Sequence, residues 1–541
     1  MRFRNTIKWV CGGAGVAVMV GSMAPALFAD ESNGWPFFGQ NVNNTSSASD
    51  VSISNKNVGQ LKPKWVATTG GDVSARAVVV DDAVYFPDWG GNLWALHADT
   101  GKTIWQHQLS DYGLTGSPSG AYHSRTAPAL DGGVLYVGTQ EGAWLLAIRA
   151  SSGQLLWKSQ LESADPFAII TESPVVYAGT VYTGVASTAE SATMYGASIG
   201  PDTGQVAPRG SAVAVKAATG EIRWKTYMVP PGYYGGGVWG SNPVVDPGSG
   251  TVYVSTGNNY VVPTDPVYVA CMANGGTRTS CNSPDDHVDS IVALNMATGQ
   301  IKWATKLVNW NQQSLGIPNG SDNWNLDCFW PNFGGPVGPQ CPADAGPDYD
   351  FSSAPSLITY QGGHGQKTIL GAGQKSGIYY ALDPATGTVL WQTQVGPGSI
   401  LGGMEWGSAS DGKRIYVQIT NLYGIPYDGG NAGSWSALDP ETGGVLWRTA
   451  DPSGAITLGP MAVANGVVYA PSMADDPAAP SMLALDAETG QLLWTFASGA
   501  SVIAGATVVD DSVYWGSGYA HIGFPGMTGN NKFYAFSRNG K

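Results

Sequence analysis

The sequence predicts an all-β fold: an eight-bladed β-propeller whose blades are four-stranded antiparallel sheets. Three observations carry that prediction. An eleven-residue phrase recurs seven times, half of an eighth copy stands at the C-terminus, and the composition is rich in Gly and Trp but poor in charge.

The phrase comes first because it sets the period. It reads ALHADTGKTIW ending at Trp105, AIRASSGQLLW at Trp157, AVKAATGEIRW at Trp224, ALNMATGQIKW at Trp303, ALDPATGTVLW at Trp391, ALDPETGGVLW at Trp447 and ALDAETGQLLW at Trp494. Each copy has Ala, Gly six residues on, and Trp four further. An alternating strand ends at the ALD-like triplet, D-x-x-T-G makes a tight turn in which Gly supplies a positive φ, and the run to Trp starts the next strand. Upstream of most copies lies a further strand pair, such as 77–96 or 460–472, so each unit holds four strands, as a propeller blade does. The Trp is expected to pack between neighbouring blades.

The eighth unit is split. The tail NKFYAFSRNGK (531–541) carries the first half of the phrase, and the head LKPKW (61–65) carries a Trp with nothing before it. Pairing them would close the ring and leave a single domain from 35 to 541, without long exposed sheet edges.

The composition fits. Of 541 residues only 12% are charged and 43% are hydrophobic, with 75 Gly, 20 Trp and 24 Tyr. That excludes a disordered chain, and glycines without a three-residue period exclude collagen. A net charge of −14 with no basic block disfavours nucleic acid as a partner.

Residues 1–29 read as a secretory signal: Arg2, Arg4 and Lys8, an apolar stretch from Val10 to Val20 too short to span a bilayer, then small residues with cleavage after Ala26 or Ala29. The expected location is periplasmic or secreted, with no membrane span after signal removal. Cys11 leaves with the signal. Cys271, Cys281, Cys328 and Cys341 then suggest two disulfides in an oxidising compartment, with the local pairs Cys271–Cys281 and Cys328–Cys341 expected among three pairings. No CxxCH attaches a c-type haem, and neither CxxC nor HExxH points to zinc.

Successive Trp anchors are 47 residues apart at the closest (Trp447 to Trp494) and 88 at the widest (Trp303 to Trp391). The surplus between Trp157 and Trp391 is where binding loops are expected. It carries the four cysteines and Asp285, Asp286, Asp289, Asp322, Asp327, Asp344, Asp348 and Asp350.

The repeated phrase resembles the blade motif of the PQQ-dependent quinoprotein alcohol dehydrogenases, which hold pyrroloquinoline quinone (PQQ) at the propeller axis. Non-catalytic propellers share the phrase, so the axial residues must discriminate. HSRTAPAL (123–130) is similar to the segment whose arginine meets the quinone, which implies that role for Arg125; a guanidinium fork suits a carboxylate. TESPVVYAGTVYTGVASTAE (171–190) resembles the segment that implies Thr171, Ser187 and Thr188 as hydrogen-bonding cofactor residues and Glu190 as a metal ligand, with Thr188 where the family has Gly. GGGVWGSNPVVDPGSGTVYVSTGNN (235–259) resembles the stretch that implies Trp239 as the floor under the quinone and Asn258 as a second metal ligand. SDNWNLDC (321–328) has Asn325 where relatives carry the proposed catalytic Asp. An amide cannot act as a general base. Asp327 is then the candidate base, or an additional metal ligand as in lanthanide-using relatives; otherwise another carboxylate is the base. GQKSGIYYALD (373–383) implies Lys375 against the quinone oxygens, and GGMEWGSAS (402–410) implies Glu405 and Trp406, with Glu405 replacing the family's Asn and able to pair with Lys375. The family's adjacent-cysteine disulfide over the second quinone face is replaced by Ser119-Gly120, with Tyr122 or His123 as substitutes.

The resemblance implies a metal, Ca²⁺ or a lanthanide, and an exported enzyme that oxidises secondary alcohols or polyols. Electrons would pass to an external cytochrome c or copper protein. WPFFGQNVNNT (35–45), the HSRT segment and GPDYDF (346–351) are nearest in pattern to polyvinyl alcohol dehydrogenases, without their haem domain. The alternatives are a periplasmic scaffold or binding propeller with no cofactor, and a metal-dependent lyase or hydrolase built on the acidic loops.

Overall fold

The structure, a computed structural model, describes residues 34–49, 51–190, 208–308, 346–428, 430–521 and 526–541. It is an eight-bladed β-propeller. Blades 1 to 7 run in chain order, each a sheet whose consecutive strands pair antiparallel, from inner strands such as Val78–Val80 and Ala129–Asp131 to outer strands such as Thr103–Gln108 and Leu155–Gln160. Blade 8 joins the two ends of the chain: Leu61–Thr68 pairs antiparallel with Lys532–Arg538, with Thr507–Val509 innermost.

The phrase works as the spacing suggests. Its Gly takes a left-handed φ, 73° at Gly387 and 74° at Gly443, and a Cβ there would lie 2.5 Å from Trp303 and 2.4 Å from Trp391 of the preceding blade. That same Trp donates its indole N–H across the seam: Trp105 to Ala150 O at 2.7 Å, Trp157 to Ala217 O at 2.8 Å, Trp391 to Pro440 O at 3.2 Å, and around the closure Trp494 to Leu61 O at 3.0 Å and Trp65 to Ala98 O at 2.8 Å. Asp383 caps its turn by accepting from the N–H groups of Ala385 and Thr386.

One element has no counterpart in the repeat. Residues 34–49, with 51 and 52, form a strap that meets the inner strands in ring order. Gly34 and Trp35 pair with Val80 and Val79 of blade 1. Pro36 O accepts from Leu130 N, Val42 O from Val245 N, Asn43 O from Leu357 N, Thr45 O from Ser410 N and Ser46 O from Val463 N, and Ser52 N donates to Asp510 O of blade 8. The strap therefore touches blades 1, 2, 4, 5, 6, 7 and 8 in turn. Arg76, fully buried in blade 1, clamps it by donating to Phe38 O at 2.6 Å and Ser46 Oγ at 2.9 Å.

The expected Cys271–Cys281 disulfide is present beside the insertion helix Pro266–Ala273. Cys328, Cys341, Asn325, Asp327 and the N-terminal signal lie outside the described residues. Among the described residues no helix is long and apolar enough to cross a membrane.

Candidate functional site

The insertions of blades 4 and 5 bring a charged cluster to the axis. The segment 346–355 leads into the inner strand of blade 5 and is pinned on both sides, Lys375 N donating to Asp350 O and Phe351 N to Thr256 O. It carries two buried carboxylates, Asp348 and Asp350, and Asp348 has a φ of 58°, a conformation held only where the surroundings over-determine it. Lys375 Nζ lies 2.8 Å from Asp350 and 3.3 Å from Asp348. Asp350 also accepts from Trp239 Nε1 at 3.0 Å, and Asp348 accepts from Asn258 Nδ2 at 2.5 Å.

Three sequence-predicted residues, Lys375, Trp239 and Asn258, thus meet two that were named only within a motif and among the acidic residues. Lys375 also sits 5.1 Å from the centre of the Trp239 ring. Trp406, itself at φ 58°, stands edge-on to Trp239 at 5.7 Å and carries the Arg125 guanidinium over its face at 4.1 Å. Thr171 Oγ1 donates to Trp239 O, and Ser241 Oγ to Trp406 O, so the two indoles are anchored through their backbones.

Other predicted residues are placed differently. Glu405 is buried but not ion-paired with Lys375, whose amine goes instead to Asp348 and Asp350. Ser187 and Thr188 are occupied locally: Ser187 Oγ accepts from Ala189 N, and the exposed Thr188 donates to Phe167 O. Tyr122 is buried with its hydroxyl accepting from Ser117 N, and His123 pairs with Glu141 at 2.8 Å.

Burial sets the charge states. It lifts Asp348 well above the ordinary carboxylate range, with Asp350 and Glu190 adding to the shift and Lys375 opposing it. Burial would lower Lys375, but Asp348, Asp350 and Glu190 outweigh it and hold the amine charged. Burial also raises Glu405 to about 8, against Lys375. Asn258 Oδ1 is buried and takes no hydrogen bond among the described residues. That oxygen and the Glu190 carboxylate are hard donors of the kind a divalent or trivalent ion takes. No group of three or more His, Cys, Asp or Glu converges on one point among the described residues. A metal here would therefore draw on the amide oxygen and on its ligand.

Comparison with known proteins fits this geometry. A family model described as outer membrane protein assembly factor BamB, a PQQ-type propeller model, matches residues 61–193 and 374–541. The chain belongs to that propeller family. A polyvinylalcohol dehydrogenase of Sphingopyxis sp. (strain 113P3) is 30% identical over 405 residues, 72% of this chain and 54% of the relative. A polyvinylalcohol dehydrogenase of Pseudomonas sp is 28% identical over 445 residues, 78% of this chain and 60% of the relative. The quinohemoprotein alcohol dehydrogenase ADHIIG of Pseudomonas putida HK5 superposes with a TM-score of 0.70 at 19% identity, covering 94% of this chain and 81% of that one. The chain spans a little over half the length of the two polyvinylalcohol dehydrogenases it matches.

Asp348 and Asp350 are what motif matching missed. The signal was there: D-Y-D stands just ahead of an axial turn whose Pro355 corresponds in the repeat to Pro128 after Arg125 and Pro174 after Thr171.

Proposed function

We propose that this propeller is the catalytic unit of an exported PQQ-dependent alcohol dehydrogenase that oxidises secondary alcohols or polyols, polyvinyl alcohol being the candidate polymer. One observation carries the reading: Trp239, Lys375, Asp348, Asp350 and Asn258 interlock at the axis through the contacts at 2.5–3.3 Å described above. A scaffold needs no buried lysine wedged between two carboxylates.

The residues suit the quinone. Trp239 is a partly buried indole, the surface a flat conjugated ring stacks on. Lys375 and Arg125 supply positive charge for its oxygens and carboxylates. Asn258 and Glu190 would hold the metal, Ca²⁺ or a lanthanide. When bound, the quinone–metal pair supplies the two-electron oxidant that accepts hydride from the alcohol carbon. Asp348 is the described carboxylate best situated to take the hydroxyl proton, because burial makes it a stronger base than an exposed Asp. Lys375 stays protonated and compensates the charge that develops next to it. An external cytochrome c or copper protein would then remove the electrons.

The test is reconstitution. Purified protein given PQQ and Ca²⁺ should reduce a dye with propan-2-ol or polyvinyl alcohol as donor. Quinone binding without turnover on any alcohol would reject the enzyme, and no binding at all would leave the scaffold reading suggested by the family model's description.

A further inference from the structure

We infer that Arg76, together with Arg125, forms a carboxylate-binding pocket on the ring axis, and that it receives one carboxylate of the quinone. The inference rests on the cofactor reading above and extends it to a residue of blade 1 that no motif singled out.

Arg76 is 1% exposed and lies against Gly505 of blade 8, where a Cβ would approach Nη2 to 2.3 Å; only glycine makes room for the guanidinium. It makes three hydrogen bonds, to Phe38 O, Ser46 Oγ and Met461 O. A guanidinium has five N–H groups. Nε is buried without an acceptor, and one N–H of Nη2 is left over. No carboxylate pairs with Arg76 among the described residues, and burial alone pulls it down to about 9. The rings of Trp35 and Phe38, 5.3 and 4.8 Å from the guanidinium, offset part of that cost, and an anion on the spare N–H groups would offset more.

The space for that anion exists. Arg76 and Arg125 line one cavity of about 20 Å³, with Ser74, Thr171, Ser173 and Ser241 as hydroxyl neighbours and no acidic residue in its wall. The volume accepts about one water-sized group, so the tip of a carboxylate enters it and a ring does not. Trp406 is shared: it lines the cavity, carries Arg125 on its face and meets Trp239 edge-on. Trp406 thus borders both the cavity and the indole on which a flat ring would rest.

The test compares PQQ with its trimethyl ester, which lacks the negative charges, by calorimetric titration of the metal-loaded protein. Wild type should prefer the triacid. In Arg76→Gln that preference should fall by about ten- to hundredfold, the worth of a charged hydrogen-bonded pair, while ester affinity holds. Arg76 also clamps the strap, so Ala75→Val, which fills the cavity without touching the clamp, is the second variant, and it should show the same loss. Unchanged preference in Ala75→Val, or equal weakening of triacid and ester, overturns the pocket. If wild type binds neither quinone, the cofactor reading fails and sodium formate decides the pocket. A formate-dependent rise in melting temperature that Ala75→Val abolishes sustains it as a carboxylate site, and no such rise overturns it.

Discussion

Asp350 and Trp239, 111 residues apart in sequence, are joined by a 3.0 Å hydrogen bond from indole to carboxylate. The other oxygen of Asp350 faces Lys375 Nζ at 2.8 Å. One carboxylate therefore orients the aromatic floor and fixes the cation beside it.

Replacing Asp350 should disturb both at once. Asp350→Asn is expected to weaken quinone binding at least about tenfold and to lower stability by about 3 kcal/mol, because it removes half of the compensation of a buried lysine. Quinone titration and urea unfolding measure the two effects. A variant as stable as wild type would show that the pair carries no structural weight.

Asp348→Asn should separate chemistry from binding. If Asp348 takes the alcohol proton, kcat falls by about 10²–10⁴ while the quinone still binds. Asn258→Ala, which removes the orphaned oxygen, should instead raise the Ca²⁺ concentration needed for half-maximal activity. Identical profiles for the two variants would deny them separate roles.

Asp451 gives a pH signature away from the site. Burial, opposed by hydrogen bonds from Ser472 and Ser453, raises its carboxyl to about 6. The folded protein then keeps a proton that the unfolded chain releases near the usual value of about 3.9. The sign is fixed: stability from this group is complete below about pH 4, declines as pH rises towards 6 and is flat above. The total loss is at most about 3 kcal/mol. Urea midpoints from pH 4 to 7 should show a steeper decline for wild type than for Asp451→Asn, and parallel curves would rule the group out.

The seam between blades 5 and 6 can be broken with one methyl. Gly443→Ala puts a Cβ 2.4 Å from the Trp391 ring at a φ of 74°. It should cost about 2 kcal/mol or more, from strain and displaced packing. Gly444→Ala, whose nearest neighbour is Thr442 at 3.3 Å, is the control. Thermal melts of the two decide it.

The ring was legible because seven copies of one phrase state the same local solution, and a turn glycine beside a distant tryptophan is a pairwise rule that survives without coordinates. The site was legible in part. Trp239, Asn258 and Lys375 stand in distinctive strings, and the fold brings them together around Asp348 and Asp350. Asp348 and Asp350 were overlooked because their string resembles ordinary loop sequence, and their importance comes from which lysine and indole the fold brings against them. Glu405 shows the reverse: buried beside a lysine, it loses that partner to two nearer carboxylates. The strap's course around the ring was not legible, although WPFFGQNVNNT (35–45) stood out as a string, because that course is set mainly by backbone hydrogen bonds.

That strap has a geometric corollary. A segment that must reach successive inner strands one after another, from Gly34 at the first blade to Ser52 at the last, is a tape of fixed length laid around a circumference. A seven-membered ring would leave it slack and a nine-membered one would leave it short. The number of blades is thus gauged by the chain itself, and duplicating or deleting a whole repeat should fail unless the tape is lengthened or trimmed to match.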